Sequence, residues 1–188
     1  LVNIINESKK KKQKSICFVT GVPGSGKTLT GLNAVHDPRF QELHGIYLSN
    51  CRMFYEQGWK GCFVETDKKK FIDLKKNYQN EPRVKLLNEF INVTDNSLDS
   101  IFQKNNIKEI DLLSIDIDYR DLSIWKSINS LKSKFVIIEY NQFIPFDVDY
   151  EDTTNQCIGN SVLAIYKHAI SKNYDLIGAT TANLIFVD

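Results

Sequence analysis

Residues 15–30 read SICFVTGVPGSGKTLT. Residues 15–19 are a short apolar run of strand formers that ends in a glycine-containing loop, and residues 29–35 can continue as a helix. Gly21, Val22, Pro23, Gly24, Ser25, Gly26, Lys27 and Thr28 satisfy the spacing G-x-x-x-x-G-K-[ST] at every position. The glycines let the backbone curl so that successive N–H groups face one phosphate, and the helix opening at Lys27 adds its positive dipole end. Lys27 is placed to reach the β- and γ-phosphates, and the Thr28 hydroxyl to bind Mg²⁺. This strand–loop–helix predicts a nucleotide-phosphate site for ATP with Mg²⁺, in which Gly21, Gly24, Ser25, Gly26, Lys27 and Thr28 form the cradle.

Strands and helices alternate through the rest of the chain. Gly58 and Gly61 bracket a turn before a buried-type strand at residues 61–65. Asp67 can cap the next helix, whose apolar stripe runs through Phe71, Leu74 and Tyr78. A strand is predicted at 84–87 and a short helix at 96–103. A strongly apolar strand at 110–117 follows and ends in Asp116 and Asp118. Leu122, Trp125, Ile128 and Leu131 lie on one stripe and predict a helix over 122–131. Residues 135–140 are another buried strand, ending near Glu139. An acidic and aromatic loop over 141–158 leads to a helix at 161–172 and to strands at 174–179 and 184–187. This alternation predicts an α/β fold: a doubly wound, mostly parallel, Rossmann-like sheet of about seven strands. The last two strands have too short a connection to be parallel, so they close the sheet as an antiparallel hairpin.

The 188 residues suit one α/β domain over 15–188, after a basic leader at 1–14. The leader carries Lys9–Lys12 and Lys14 without interleaved aromatics, so it reads as a solvated lysine run and nucleic acid is not favoured. A net charge of +1 gives no global attraction to nucleic acid or anionic membrane. Cys17, Cys51, Cys62 and Cys157 are widely spaced, which suggests neither a disulfide framework nor a zinc site; Cys17 and Cys62 read as core thiols. No apolar run is long enough to span a bilayer and no signal peptide is visible, so a cytoplasmic setting without membrane partners is expected. His36 and His168 read as surface or helix-end residues, and Trp59 and Trp125 as core anchors.

Two family resemblances divide the domain. FVTGVPGSGKTLTGLNAVHDPRF, running on to HGIYLS, resembles the opening of a helicase-like P-loop family related to the Schlafen group. It covers the unit at 15–44 and the few residues beyond. Residues 45–188 resemble FkbM-type, S-adenosylmethionine-dependent methyltransferase-like proteins. The matching pieces are Leu48-Ser49-Asn50, the turn Gly58-Trp59-Lys60-Gly61, Val64-Glu65, LSIDID at 113–118, VIIEYN at 136–141, and the tail from Ser161 to Val187. This resemblance implies that Glu65, at the end of the second strand, accepts hydrogen bonds from the ribose hydroxyls of S-adenosylmethionine. It implies a methyl acceptor as a further partner, of a class the sequence does not specify. It also places Asp116, Asp118, Glu139 and Asn141 at the crevice where open α/β sheets bind ligands. There Asp116 and Asp118 can hold the cofactor, a substrate amine or a metal. His44 stands where the family favours an acidic residue, and the P-loop stretch replaces its first glycine-rich loop.

Three functions are compatible with these features. The first is a methyltransferase whose first strand–loop–helix is an ATP-binding unit, with Asp116, Asp118 and Glu139 as catalytic candidates. The second is a P-loop ATP- or GTP-binding protein or NTPase, in which Thr28 and, through water, Asp116 hold Mg²⁺ and Glu139 orients an attacking water. The third is a non-catalytic chimera or fragment.

Overall fold

The runs that read as continuous apolar stretches do so because both faces of the sheet are covered. In the computed structural model, which describes residues 15–20, 52–78, 80–153 and 156–188, successive residues of one strand enter opposite layers. Leu113, Ile115, Val136 and Ile138 pack into one layer; Leu112, Phe135 and Ile137 pack into the other.

The strands are β1 (Ser15–Thr20), β2 (Lys60–Glu65), β3 (Val84–Leu87), β4 (Leu112–Asp116), β5 (Phe135–Glu139), β6 (Asp175–Ala179) and β7 (Asn183–Val187). They join in one sheet in the order β3-β2-β1-β4-β5-β7-β6. β1 is parallel to both β2 and β4, and β4 is parallel to β5. β7 is antiparallel to both β5 and β6, so the closing hairpin inserts its second strand next to β5. The expected α/β class is thus the one observed, with the strands at 15–20 and 112–116 as neighbours.

The helices are α1 (Arg52–Glu56), α2 (Lys68–Tyr78), α3 (Leu98–Lys104), α4 (Asp121–Lys126) and α5 (Val162–Ser171). Leu98, Ile101 and Phe102 of α3, Leu122, Ile124 and Trp125 of α4, and Ala164, Ile165 and Ala169 of α5 fill the first layer. Phe54 of α1 and Leu74 and Tyr78 of α2 fill the second, together with Trp59. Trp59 and Trp125 are both core residues, as expected, and so is Cys62.

Local chemistry sets the element ends. After α1 the Gly58 N–H bonds the Tyr55 carbonyl (2.9 Å) and the Trp59 N–H the Phe54 carbonyl (3.1 Å). Gly58 takes φ 90°, a conformation that favours glycine, and Trp59 packs on Phe54 with ring centroids 5.1 Å apart. Asp67 caps α2 by accepting the Lys69 and Lys70 N–H groups (2.8 and 2.9 Å). Ser97 and Ser161 cap α3 and α5 through their hydroxyls.

Two boundaries and the burial of one histidine differ from the sequence expectation. The helix expected at 122–131 stops at Lys126, because Ser127 turns its hydroxyl to the Ile124 carbonyl and Asp99 of α3 takes the Asn129 and Ser130 N–H groups. Ile128 is nevertheless buried and Leu131 packs on the same layer, so the apolar stripe continues without a helix. The strand expected at 110–117 ends at Asp116, since Asp121 takes the Ile117 N–H. His168 lies in the last turn of α5, as expected of a helix-end residue, but it is half-buried with its ring edge-on to Trp125 at 5.0 Å. Burial first, and then Lys172 and Lys126, lower its pKa to about 4.

Candidate functional site

The strand order reverses at β1: the chain runs from β1 to β2 and β3 on one side and to β4 and β5 on the other. Loops leaving β1 and β4 therefore diverge at their carboxyl ends and open a crevice, the place where open α/β sheets bind ligands. The register identifies the residues at its rim. Thr20, the last residue of β1, stands opposite Glu65 of β2 and opposite Asp116 of β4. Two strand spacings separate Glu65 and Asp116, about 10 Å between Cα atoms. Ile115 pairs with Ile138, so Asp116 and Glu139 follow as the next pair on that edge.

Glu65 is buried. Its Oε1 accepts the Asp67 N–H at 2.8 Å and its main-chain carbonyl accepts from Asn88 Nδ2 at 2.7 Å, which fixes the turn from β2 into α2. Asp116, Asp118 and Glu139 each bring a carboxylate oxygen to within 4.8 Å of the others. Sequence order placed these acids at one edge, and the structure does bring them together. Hard oxygen donors in that number suit a divalent cation, a cationic ligand group or a proton-accepting role.

Asp118 lies two residues past the end of β4, in a bend where both it and Tyr119 take positive φ, 55° and 73°. Such conformations cost roughly 1–3 kcal/mol each for residues with side chains and persist only where the surroundings impose them.

A fourth carboxyl, Asp121, escaped the reading of the sequence, where it precedes the expected helix. It is buried at the start of α4 and its Oδ1 accepts the Ile117 N–H at 2.9 Å. Burial, and then the charges of Glu139 and Asp116, hold its pKa well above the ordinary 3.8. The folded state thus retains this proton more strongly than the unfolded chain. The resulting stability is fully present below about pH 3.8 and is lost as pH rises through the folded pKa. Asp121→Asn keeps an oxygen for the Ile117 N–H and removes the buried charge. With a chelator present, thermal unfolding should show the variant more stable than the parent at pH 8, and the gap should close toward pH 4. A gap independent of pH would refute this.

Gly21, Gly24, Ser25, Gly26, Lys27 and Thr28 lie outside the described residues, as do 1–14 and His44. The expected meeting of Thr28 and Asp116 therefore has no described geometry. Trp59 belongs to the core layer on Phe54. No helix among the described residues is long and apolar enough to cross a membrane.

The model of the methyltransferase FkbM domain matches residues 67–167, more than half of the chain. The chain belongs to the FkbM methyltransferase-domain family. Glu65 falls just before the matched stretch, while Asp116, Asp118, Asp121 and Glu139 fall within it. No curated protein matches the sequence significantly. Among solved structures, the citrinin polyketide synthase CMeT domain is similar over 97% of this chain and 49% of its own, with 11% identity and a TM-score of 0.54. The N-terminal domain of EvdMO1 with SAH bound is similar over 97% of this chain and 77% of its own, with 10% identity and a TM-score of 0.50. At these identities the likeness is one of fold, and this FkbM-domain chain spans about half the length of the first neighbour. Neither the family match nor these neighbours point to a helicase-like P-loop family.

Proposed function

We propose that this chain is an S-adenosylmethionine-dependent methyltransferase that binds its cofactor across the carboxyl ends of β2, β1 and β4. The observation that carries the reading is the register Glu65–Thr20–Asp116 at the point where strand order reverses, in a chain of the FkbM family. The donor set suits the cofactor: one carboxylate at the end of β2 for two ribose hydroxyls, and a second group of carboxylates one crevice-width away. S-adenosylmethionine, when bound, supplies an electrophilic methyl group on a positively charged sulfur. Glu65 accepts hydrogen bonds from the ribose and orients it. Asp116 closes the far side of the cofactor crevice. Asp118 and Glu139 face the methyl acceptor, fix its nucleophilic atom, and take the proton that this atom sheds. The half-buried setting of these acids strengthens each such interaction relative to water.

Calorimetry separates this reading from nucleotide binding at Gly21 to Thr28. The protein is titrated with S-adenosylhomocysteine and, separately, with ATP and Mg²⁺. Saturable binding of S-adenosylhomocysteine is the expected result. Binding of ATP with Mg²⁺ alone would replace the methyltransferase reading with the P-loop one, and binding of neither would favour a non-catalytic protein.

A further inference from the structure

Tyrosine has no intrinsic preference for the left-handed conformation that Tyr119 adopts at φ 73°, so something must hold it there. Asn160 is placed to do so. Its Nδ2 donates to the Tyr119 carbonyl at 3.1 Å, and its Oδ1 accepts the Asp152 N–H at 3.2 Å. A carbonyl can only accept and a backbone N–H can only donate, so these two partners fix which way the amide faces. The Asn160 main-chain carbonyl accepts the Asn141 N–H at 2.9 Å, two residues beyond Glu139. Asn160 is 2% exposed, so water does not compete for these bonds. The preceding Gly159, at φ 80°, lies close against the same two segments: a Cβ there would stand 3.7 Å from Asn141 Cβ and 3.8 Å from Tyr119 Cδ1. Asn160 thus ties the bend that carries Asp118 to the segment that leaves β5 just after Glu139, its side-chain amide holding the Tyr119 carbonyl and its main-chain carbonyl the Asn141 N–H.

We propose that Asn160 is a positioning residue for the acidic site: by holding the left-handed bend at Asp118 and Tyr119, it sets the Asp118 carboxylate against Asp116 and Glu139. It acts through Tyr119 rather than on any ligand. Its consequence for turnover rests on the methyl-transfer reading; the conformational effect does not.

The test uses the whole chain and three substitutions. Asn160→Asp retains the acceptor for Asp152 and replaces the donor facing Tyr119 with an oxygen. Asn160→Ala removes both bonds. Tyr119→Gly supplies a residue that adopts positive φ unaided. Backbone ¹³C shifts of residues 118 and 119 and side-chain carboxyl ¹³C shifts of Asp118 and Glu139 are recorded at one pH. Either Asn160 variant is expected to move the backbone signals of residues 118 and 119 out of the left-handed range and to shift the Asp118 carboxyl. Tyr119→Gly combined with Asn160→Ala is expected to return the Asp118 signals to their parental positions. Folded Asn160 variants with unchanged Asp118 signals, or a double variant without recovery, would overturn the proposal. If Asn160→Ala does not fold, Asn160→Asp carries the same comparison. S-adenosylhomocysteine affinity is measured in parallel and should change less than about threefold in Asn160→Asp, since Glu65 is untouched. Loss of that binding in the parental protein would count against the methyltransferase reading while leaving the carbon shifts to decide the role of Asn160.

Discussion

Trp125→Ala is expected to destabilise the folded chain by about 3–5 kcal/mol, the range for removing a large buried aromatic. The indole is 3% exposed and packs on three rings, those of His168, Tyr174 and Phe186, at 5.0, 5.6 and 5.5 Å. It joins α4 to the last turn of α5 and to β7, so its loss loosens three elements together. Trp125 also borders a pocket of about 320 Å³, open to solvent and lined by Leu113, Ile128 and Tyr174 together with Lys132 and Lys172. For a chain of this length the midpoint of thermal unfolding should fall by roughly 6–20 °C. Tyr166→Ala, on the exposed side of α5, is the control and should change stability by no more than about 0.5 kcal/mol. A loss below about 1 kcal/mol for Trp125→Ala would mean that the layer between α4, α5 and the sheet is not packed as described.

Glu65→Gln is expected to weaken S-adenosylhomocysteine binding about 10- to 150-fold. This corresponds to the loss of a charge-assisted hydrogen-bond pair worth about 1.5–3 kcal/mol. Glutamine retains an oxygen that can accept the Asp67 N–H, so the turn into α2 should survive and the unfolding midpoint should move little. The charge matters because two ribose hydroxyls present two donors to one acceptor group, and a carboxylate offers two equivalent oxygens where an amide offers one. Calorimetry of parent and variant measures the ratio directly. A dissociation constant within twofold of the parent would remove Glu65 from the cofactor site.

What could be read from the sequence followed physical range. The apolar runs SICFV, GCFVE, LLSID and FVIIE announced buried parallel strands because each is apolar at consecutive positions, a property of the run itself. Glu65, Asp116 and Glu139 could be placed at strand ends for the same reason, each being an acid at the carboxyl end of such a run, while their place at a crevice is what the family resemblance implies. Asp121 and Asn160 could not. Asp121 reads as an ordinary acid just before the expected helix until the fold buries it beside Asp116 and Glu139. Asn160 is one polar residue in a loop until its amide meets Tyr119, 41 positions earlier in the chain. The early stop of α4 has a similar origin, since Asp99 captures the Asn129 N–H from 30 residues away. The place of β7 between β5 and β6 is also set by pairing rather than by any local pattern.

The central position of β1 also bears on how the chain folds during synthesis. β1 is the first of the described strands in chain order, yet its partners on either side are β2 and β4, and Ile16 meets Leu112 across about a hundred residues of intervening chain. At about 5–20 residues per second, the ribosome needs roughly 5–20 s after completing β1 before β4 can pair with it. During that interval SICFVT lacks the strand that later flanks it, and contacts of such long range are slow to form even in the finished chain. Among the described strands, the segment that ends at the crevice therefore waits longest for its second neighbour, and during that wait it is open to chaperone capture or to wrong pairing with another chain.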